Sequence, residues 1–372
     1  MSDISNRTGP VGVGIIGTGV ISGTYLENLK SFPDIVVHAI ADQYPEVAAA
    51  KAEEHGIALH GTNEVVLNHP DVEIVIDLTT PDAHTEVALS AIQAGKHAYN
   101  EKPLGLDLES ATELMQAAAA AGLRVGGAPD TFLGEGLQTA FRMIRRGDIG
   151  TPLTALTLMQ SPGPESWHPN PAFLFQYGAG PLFDIGPYYL TTLVQTFGAA
   201  TSVAAASSKA RPTRTIGSGP KAGEEFEVTV PSHHSSITLF DSGASAQSIF
   251  SFDSPLPRAG FVEITGTEAT LAIPDPNMFD GVVRIRRRDG DDWEVAAETK
   301  ALSARGTGVL EMARAIRAGV PHRASGEQAY HVLDLMVSTS VSAEQGQFVP
   351  IESGYTPTDT LPDDWDPMAA TL

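Results

Sequence analysis

The stretch Val11-Gly12-Val13-Gly14-Ile15-Ile16-Gly17-Thr18-Gly19-Val20-Ile21-Ser22-Gly23-Thr24-Tyr25-Leu26 decides the reading of this chain. It opens as a β-branched apolar run, the composition of a buried parallel strand, then breaks into glycines and resumes with apolar residues at helical spacing. The pattern predicts a strand, a tight turn and a helix. At such a turn the helix N-terminus presents backbone N–H groups and the positive end of its dipole. Gly19 has no Cβ to keep a pyrophosphate away from that backbone. This is how a dinucleotide is held.

The register of the glycines matters. Gly12-Val13-Gly14-Ile15-Ile16-Gly17 satisfies G-x-G-x-x-G but lies inside the strand. The turn-placed reading is Gly17-Thr18-Gly19-Val20-Ile21-Ser22, with the small Ser22 in place of the third glycine. A second strand, Ile35–Ala41, ends in Asp42, about 20 residues further on, where an acid accepts hydrogen bonds from ribose hydroxyls. No arginine follows to welcome a 2′-phosphate, so NAD is favoured over NADP. Asp42 also stands where it can cap the helix that starts near Pro45.

The chain has 372 residues and is 42% hydrophobic, enough for two cores. Residues 1–10 are short and polar and lack the apolar core of a signal peptide, and no stretch reaches membrane-spanning length, so a cytoplasmic protein without a membrane partner is expected. The absence of cysteine excludes disulfides and thiolate metal sites, and no metal site is expected. A formal charge of −22 opposes nucleic acid as a partner. The basic run Arg284–Arg288 alternates like a solvated edge strand before the turn at Asp289-Gly290.

Strands are predicted at Val11–Ile16, Ile35–Ala41, Ile57–His60, Glu73–Leu78, Ala98–Asn100 and Leu123–Gly126. Helices fall around Ser22–Ser31, Pro45–His55, Thr62–Leu67, Ala83–Ala94 and Leu108–Ala121. This alternation is that of a doubly wound parallel sheet, a Rossmann domain. Two loops reach the carboxyl edge where such folds bind ligands. One is Thr79-Thr80-Pro81-Asp82-Ala83-His84, in which Pro81 is expected to start a helix with His84 in its first turn. The other, Asn100-Glu101-Lys102-Pro103, sets an acid beside a base.

Gly17-x-Gly19 after a strand, Thr80-Pro81-x-x-His84, Ala94-Gly95-Lys96-His97 and Glu101-Lys102-Pro103, in that order, resemble the glucose-fructose oxidoreductase / inositol dehydrogenase / MocA family over nearly the whole chain. The resemblance implies a Rossmann domain over 1–129 and a substrate-binding and oligomerisation domain over 130–355, built on a large, mostly antiparallel open sheet. Residues 356–372 read as a tail. It also implies a homodimer or homotetramer. Cofactor contacts are expected at Gly17, Thr18, Gly19, Val20, Ile21, Asp42, Thr79, Thr80, Pro81, His84, Glu101 and Lys102. Strand-like alternation at Pro152–Gln160, Ser235–Asp241, Ala246–Phe252, Gly260–Ile264, Thr270–Ile273 and Val282–Arg288 agrees independently. Helices are predicted at Leu137–Arg146, Gly308–Ala318 and Gly326–Gln345.

The proline-rich loop Ser161–Pro171 carries Trp167, His168 and Asn170. An aromatic face with hydrogen-bonding side chains suits a polyol, although Trp167 equally suits a core position. In Gly178–Leu190, a helix from Leu182 would put Asp184 and Tyr188 on one face. The resembled family has an Asp there followed four residues later by His or, in some branches, Tyr. The implied chemistry is hydride transfer between nicotinamide and a carbinol of a sugar, cyclitol or sugar derivative. Lys102 would bind the reacting oxygen, Tyr188 would act as acid or base, and Asp184 would orient a hydroxyl. An ammonium at ~4 Å in an effective dielectric of ~20 contributes about 4 kcal/mol, roughly 3 pKa units, which brings a tyrosine toward neutrality. Asp184 opposes that shift, so Lys102 is the stronger proton carrier. Two alternatives stand beside this reading: an enzyme of the same fold that retains NAD while processing glycosides, and a dinucleotide-binding regulator without catalysis.

Overall fold

The computed structural model describes residues 7–372. Residues 1–6, the start of the polar N-terminal stretch, lie outside the described residues. The chain forms two compact units, each discontinuous in sequence: Met1–Leu133 with Leu302–Tyr330 and Leu361–Leu372, and Gly134–Ala301 with His331–Thr360.

The first unit holds six parallel strands, β1 (Val11–Ile16), β2 (Ile35–Ala41), β3 (Leu59–Gly61), β4 (Ile74–Asp77), β5 (His97–Asn100) and β6 (Val125–Gly127). Their order is β3-β2-β1-β4-β5-β6. Every residue of β1 and β4 is buried, as expected in a sheet covered on both faces, including Asp77 at the end of β4. The connecting helices are α1 (Val20–Ser31), α2 (Pro45–His55), α3 (Asn63–Leu67), α4 (His84–Gln93) and α5 (Leu108–Ala121). The strand order reverses between β1 and β4, which opens a crevice at their carboxyl ends. Pro81–Ala83 form a turn rather than the start of a helix, and α4 begins at His84.

In the second unit α6 (Glu135–Arg146), β7 (Pro152–Gln160), α7 (Gly180–Asp184) and α8 (Gly186–Phe197) precede a run of strands. These are β8 (Ala200–Ser208), β9 (Thr213–Thr215), β10 (Glu225–Glu227), β11 (His233–Phe240), β12 (Ser245–Ser251), β13 (Arg258–Gly266), β14 (Ala269–Ile273), β15 (Gly281–Arg287), β16 (Glu294–Thr299) and, much later, β17 (Val349–Pro350). Eight of them join β7 in one nine-stranded sheet, in the order β16-β15-β14-β13-β7-β12-β11-β8-β17. Only the β7–β12 pair is parallel. β8 and β16 escape a pattern search because alanine and serine fill the one and glutamate and alanine the other, all weak strand formers. Pairing with β11 and β15 makes them strands. The arginine-rich β15 is therefore not an edge, since β16 returns beside it.

Helix α9 (Thr307–Ala318) belongs to the first unit, and α10 (Gly326–Gln345) follows it. Leu361–Leu372, most of the segment expected as a tail, belongs to the first unit and is fastened there. The Arg314 guanidinium lies 4.5 Å from the Trp365 ring centroid and donates to Asp34 at 2.8 Å. The N–H groups of Thr371 and Leu372 donate to the same Asp34 carboxylate.

Candidate active site

Gly17 and Gly19 differ in what the fold asks of them. Gly17 has φ +96, and a Cβ there would stand 2.5 to 2.6 Å from the backbone of Leu78 and Thr79. Its glycine is demanded by the approach of β1 to the end of β4. Gly19 has an ordinary φ of −68, and an added Cβ would meet nothing within 4 Å. The protein itself does not need that side chain to be missing. The open space lies at the start of α1, whose first turn has no side-chain cap. Val20 beside it is 97% exposed, an apolar surface that a bound ring or ribose would cover. Ile21 is half-buried, and Ser22 is buried with its hydroxyl donating to the Gly19 carbonyl at 2.7 Å. A pyrophosphate fits this cradle.

Asp42 follows β2 at the same edge. One oxygen accepts the Thr18 N–H at 2.8 Å and the Thr18 hydroxyl at 2.9 Å, and the other accepts the Tyr44 N–H at 3.0 Å. Asp42 does not cap α2, whose N-cap is Tyr44. Its carboxylate is held in place with acceptor capacity left for a ribose hydroxyl.

The loop after β4 is organised by Asp77, which the sequence reading passed over. Asp77 is 1% exposed and accepts from the Thr79 N–H and hydroxyl. Thr80 stays exposed and Pro81 half-buried at the rim. His84 is not presented to a ligand: it is 1% exposed, with Nδ1 2.6 Å from the Pro103 carbonyl and Nε2 3.2 Å from that of Thr79. It ties the Thr79 loop to the Lys102-Pro103 turn, where the peptide bond is cis. Glu101 is likewise turned inward. The Tyr25 hydroxyl donates to one of its oxygens at 2.9 Å and the Lys102 N–H to the other at 2.9 Å. Lys102, half-buried, follows the carboxyl end of β5.

In the second unit, Asp184 closes α7 and Tyr188 lies in the first turn of α8. The single helix expected from Leu182 is broken at Ile185, because Pro187 has no N–H to continue the ladder. Tyr188 bonds through its N–H to the Ile185 carbonyl at 3.2 Å. Its side chain is 5% exposed. Trp167 is 68% exposed, which removes the core alternative. Its ring meets His168 edge-on at 5.5 Å, and His168 meets Phe173 at the same distance. Asn170 is exposed, and its N–H donates to His168 Nδ1 at 3.0 Å.

Buried Arg214 anchors this loop. Its guanidinium pairs with Glu165 on the loop and with Asp253, donates to the Pro162 carbonyl at 3.0 Å and lies 4.6 Å from the Phe175 ring centroid. No sequence pattern marks Arg214, whose partners lie 49 and 39 residues away.

Residues 11–127 match the family model described as "Oxidoreductase family, NAD-binding Rossmann fold", and residues 137–272 match the "GFO/IDH/MocA C-terminal domain". This chain belongs to the GFO/IDH/MocA family. As a member of that oxidoreductase family it is similar over nearly its full length to relatives of stated activity. It is 28% identical over 352 residues to 1,5-anhydro-D-fructose reductase of Ensifer adhaerens, covering 92% of this chain and 98% of that protein. It is 26% identical over 360 residues to D-apiose dehydrogenase of Paraburkholderia graminis, covering 91% and 89%. In fold it is similar to levoglucosan dehydrogenase in complex with NADH and L-sorbose, with a TM-score of 0.79 and 22% identity over 92% of this chain and 99% of that one.

Proposed function

We propose that this GFO/IDH/MocA protein oxidises or reduces a CH–OH group of a sugar, cyclitol or sugar derivative, with NAD in preference to NADP. The observation that carries the reading is one sheet edge: Gly19 with its open space, the fastened Asp42 carboxylate and Lys102 all follow carboxyl ends of strands in the first unit. The sugar preference draws on the reductase and dehydrogenase relatives and on the exposed ring of Trp167, a face on which C–H groups stack.

Bound nicotinamide supplies a hydride acceptor or donor. Gly17, Thr18, Gly19, Val20 and Ile21 hold the pyrophosphate end, and Asp42 takes the adenine ribose. Thr79, Thr80 and Pro81 line the rim. Lys102 hydrogen-bonds the reacting oxygen and carries its proton, Tyr188 shares that task, and Asp184 orients a neighbouring hydroxyl. His84 and Glu101 set the backbone that carries Lys102. Trp167, His168 and Asn170 contact the substrate.

We further assign a homodimer or homotetramer. Ile237 is 45% and Leu239 38% exposed on the same face of β11, where Ile249 in adjacent β12 and Leu158 in β7 beyond it are partly exposed. A second copy would cover them.

The test is absorbance of reduced nicotinamide while the protein and NAD are offered monosaccharides, cyclitols, sugar acids and simple glycosides. A rise with one group supports the reading and names the class. No rise, with protein that binds NADH, overturns it as a dehydrogenase.

A further inference from the structure

Asp77 and Asn100 close the carboxyl ends of β4 and β5 and are register partners across that parallel pair. They are 1% and 0% exposed. Register partners on neighbouring parallel strands project to the same face, with the strands about 4.8 Å apart. Both side chains are also tied to His84: the Asn100 amide donates to its carbonyl at 3.1 Å, and its ring acts electrostatically on the Asp77 carboxylate.

The hydrogen-bond inventory at this spot is one donor short. Asp77 Oδ1 accepts from Thr79, whereas Asp77 Oδ2 and Asn100 Oδ1 are both buried with no donor. Turning the Asn100 amide does not help, because its oxygen would then face the His84 carbonyl. The His84 ring cannot supply a donor either, since both its nitrogens already face carbonyl oxygens. A single proton resolves the conflict.

We infer that Asp77 is a positioning residue that works in its protonated form, its Oδ2–H donating to Asn100 Oδ1, so that one proton ties the Thr79–Thr80 loop to the Glu101–Lys102 turn. Burial favours this form and raises the Asp77 carboxyl to about 6; the His84 ring and the Thr79 hydrogen bonds pull it down, and Glu101 pushes it up. On ionisation the proton leaves for solvent. A carboxylate is then left against the Asn100 oxygen with Glu101 nearby, and the two sides of the cofactor edge lose their tie. The consequence for nucleotide binding rests on the cofactor reading above, but the proton itself belongs to the nucleotide-free protein.

The test has two parts. Carboxyl resonances of ¹³C-aspartate-labelled protein, compared with Asp77→Asn, are expected to show one signal missing from the variant and titrating at about 6. A missing signal that titrates at or below 3.8, the usual aspartate value, overturns the proposal, with a bridging water then the donor. NADH titration forms the second part. Asparagine at 77 places a permanent N–H where the proton sits, so Asp77→Asn is expected to bind NADH within about twofold of wild type at pH 5. Its affinity is expected to stay flat to pH 7.5, whereas wild type weakens severalfold over the same range. A variant that binds about tenfold more weakly at every pH, or does not fold, shows that the charge and not the proton is needed. A wild-type protein that never binds NADH sinks the cofactor reading alone, because the carboxyl titration needs no nucleotide.

Discussion

Thr18 donates both its backbone N–H, at 2.8 Å, and its hydroxyl, at 2.9 Å, to one carboxylate oxygen of Asp42. The glycine turn thereby fixes the orientation of the Asp42 carboxylate. Asp42→Ala should raise the dissociation constant for NAD about tenfold, the worth of one charge-assisted hydrogen bond, and that for NADP much less. Titration with both reduced nucleotides checks this. An unchanged ratio between them would remove Asp42 from cofactor selection.

The two glycines of the turn should separate stability from binding. Gly17→Ala forces a Cβ into the Leu78–Thr79 backbone at a positive φ and should destabilise the protein by ~3 kcal/mol or more. Gly19→Ala meets nothing in the protein and should leave the melting temperature unchanged while weakening NADH binding severalfold. Calorimetry and fluorescence titration of the pair decide it. A Gly19→Ala protein that binds NADH normally would show that the open space is not the pyrophosphate site.

Lys102→Ala should lower kcat by about 10² to 10⁴ with NADH affinity retained, the range for loss of a positioned proton-transfer group. Tyr188→Phe should cost less. Steady-state kinetics of both variants ranks them, and a larger loss for Tyr188→Phe would reverse the assignment of the proton.

Arg214→Ala leaves Glu165 and Asp253 as partly buried carboxylates without their shared cation. The expected loss is ~3 to 5 kcal/mol of stability, read by denaturant unfolding. The aromatic loop should also become protease-sensitive, because its Glu165 anchor and the Phe175 stacking go together.

Burial lowers His97, His234 and His322 to about 4, from an ordinary 6.5. The unfolded chain takes up these protons first, so the stability they carry is intact above pH 6.5 and is lost as pH falls toward 4. Each accounts for about 3 kcal/mol. Asp77 and Asp130, raised by burial to about 6, act the other way: their contribution is complete below 3.8 and fades as pH rises through 6. His97 Nδ1 accepts the Arg124 N–H at 2.9 Å, a bond that protonation removes. His97→Asn keeps an acceptor that does not titrate and should move acid unfolding, followed by circular dichroism, to lower pH. A midpoint that stays in place would clear His97 of the acid transition.

Local chemistry in the sequence determined much of this protein. The apolar run of β1, the glycines after it and the acid after β2 predict a nucleotide turn because strand period, positive φ and helix start are properties of adjacent residues. The alternation of strands and helices up to Gly127 and most strands of the large sheet were legible for the same reason. Tertiary structure alone decided which polar groups meet. His84 and Glu101 read as ligand contacts, yet the fold turns both inward, to Pro103 and Tyr25. Pro187 breaks the helix expected to join Asp184 to Tyr188. The C-terminal segment reads as a tail, yet Thr371 is fastened to Asp34, more than 330 residues away in sequence. The Asp77–Asn100 register and the Arg214 anchor leave no periodic trace, because such contacts depend on which strands become neighbours and which groups lose their water, and neither is a property of any short stretch.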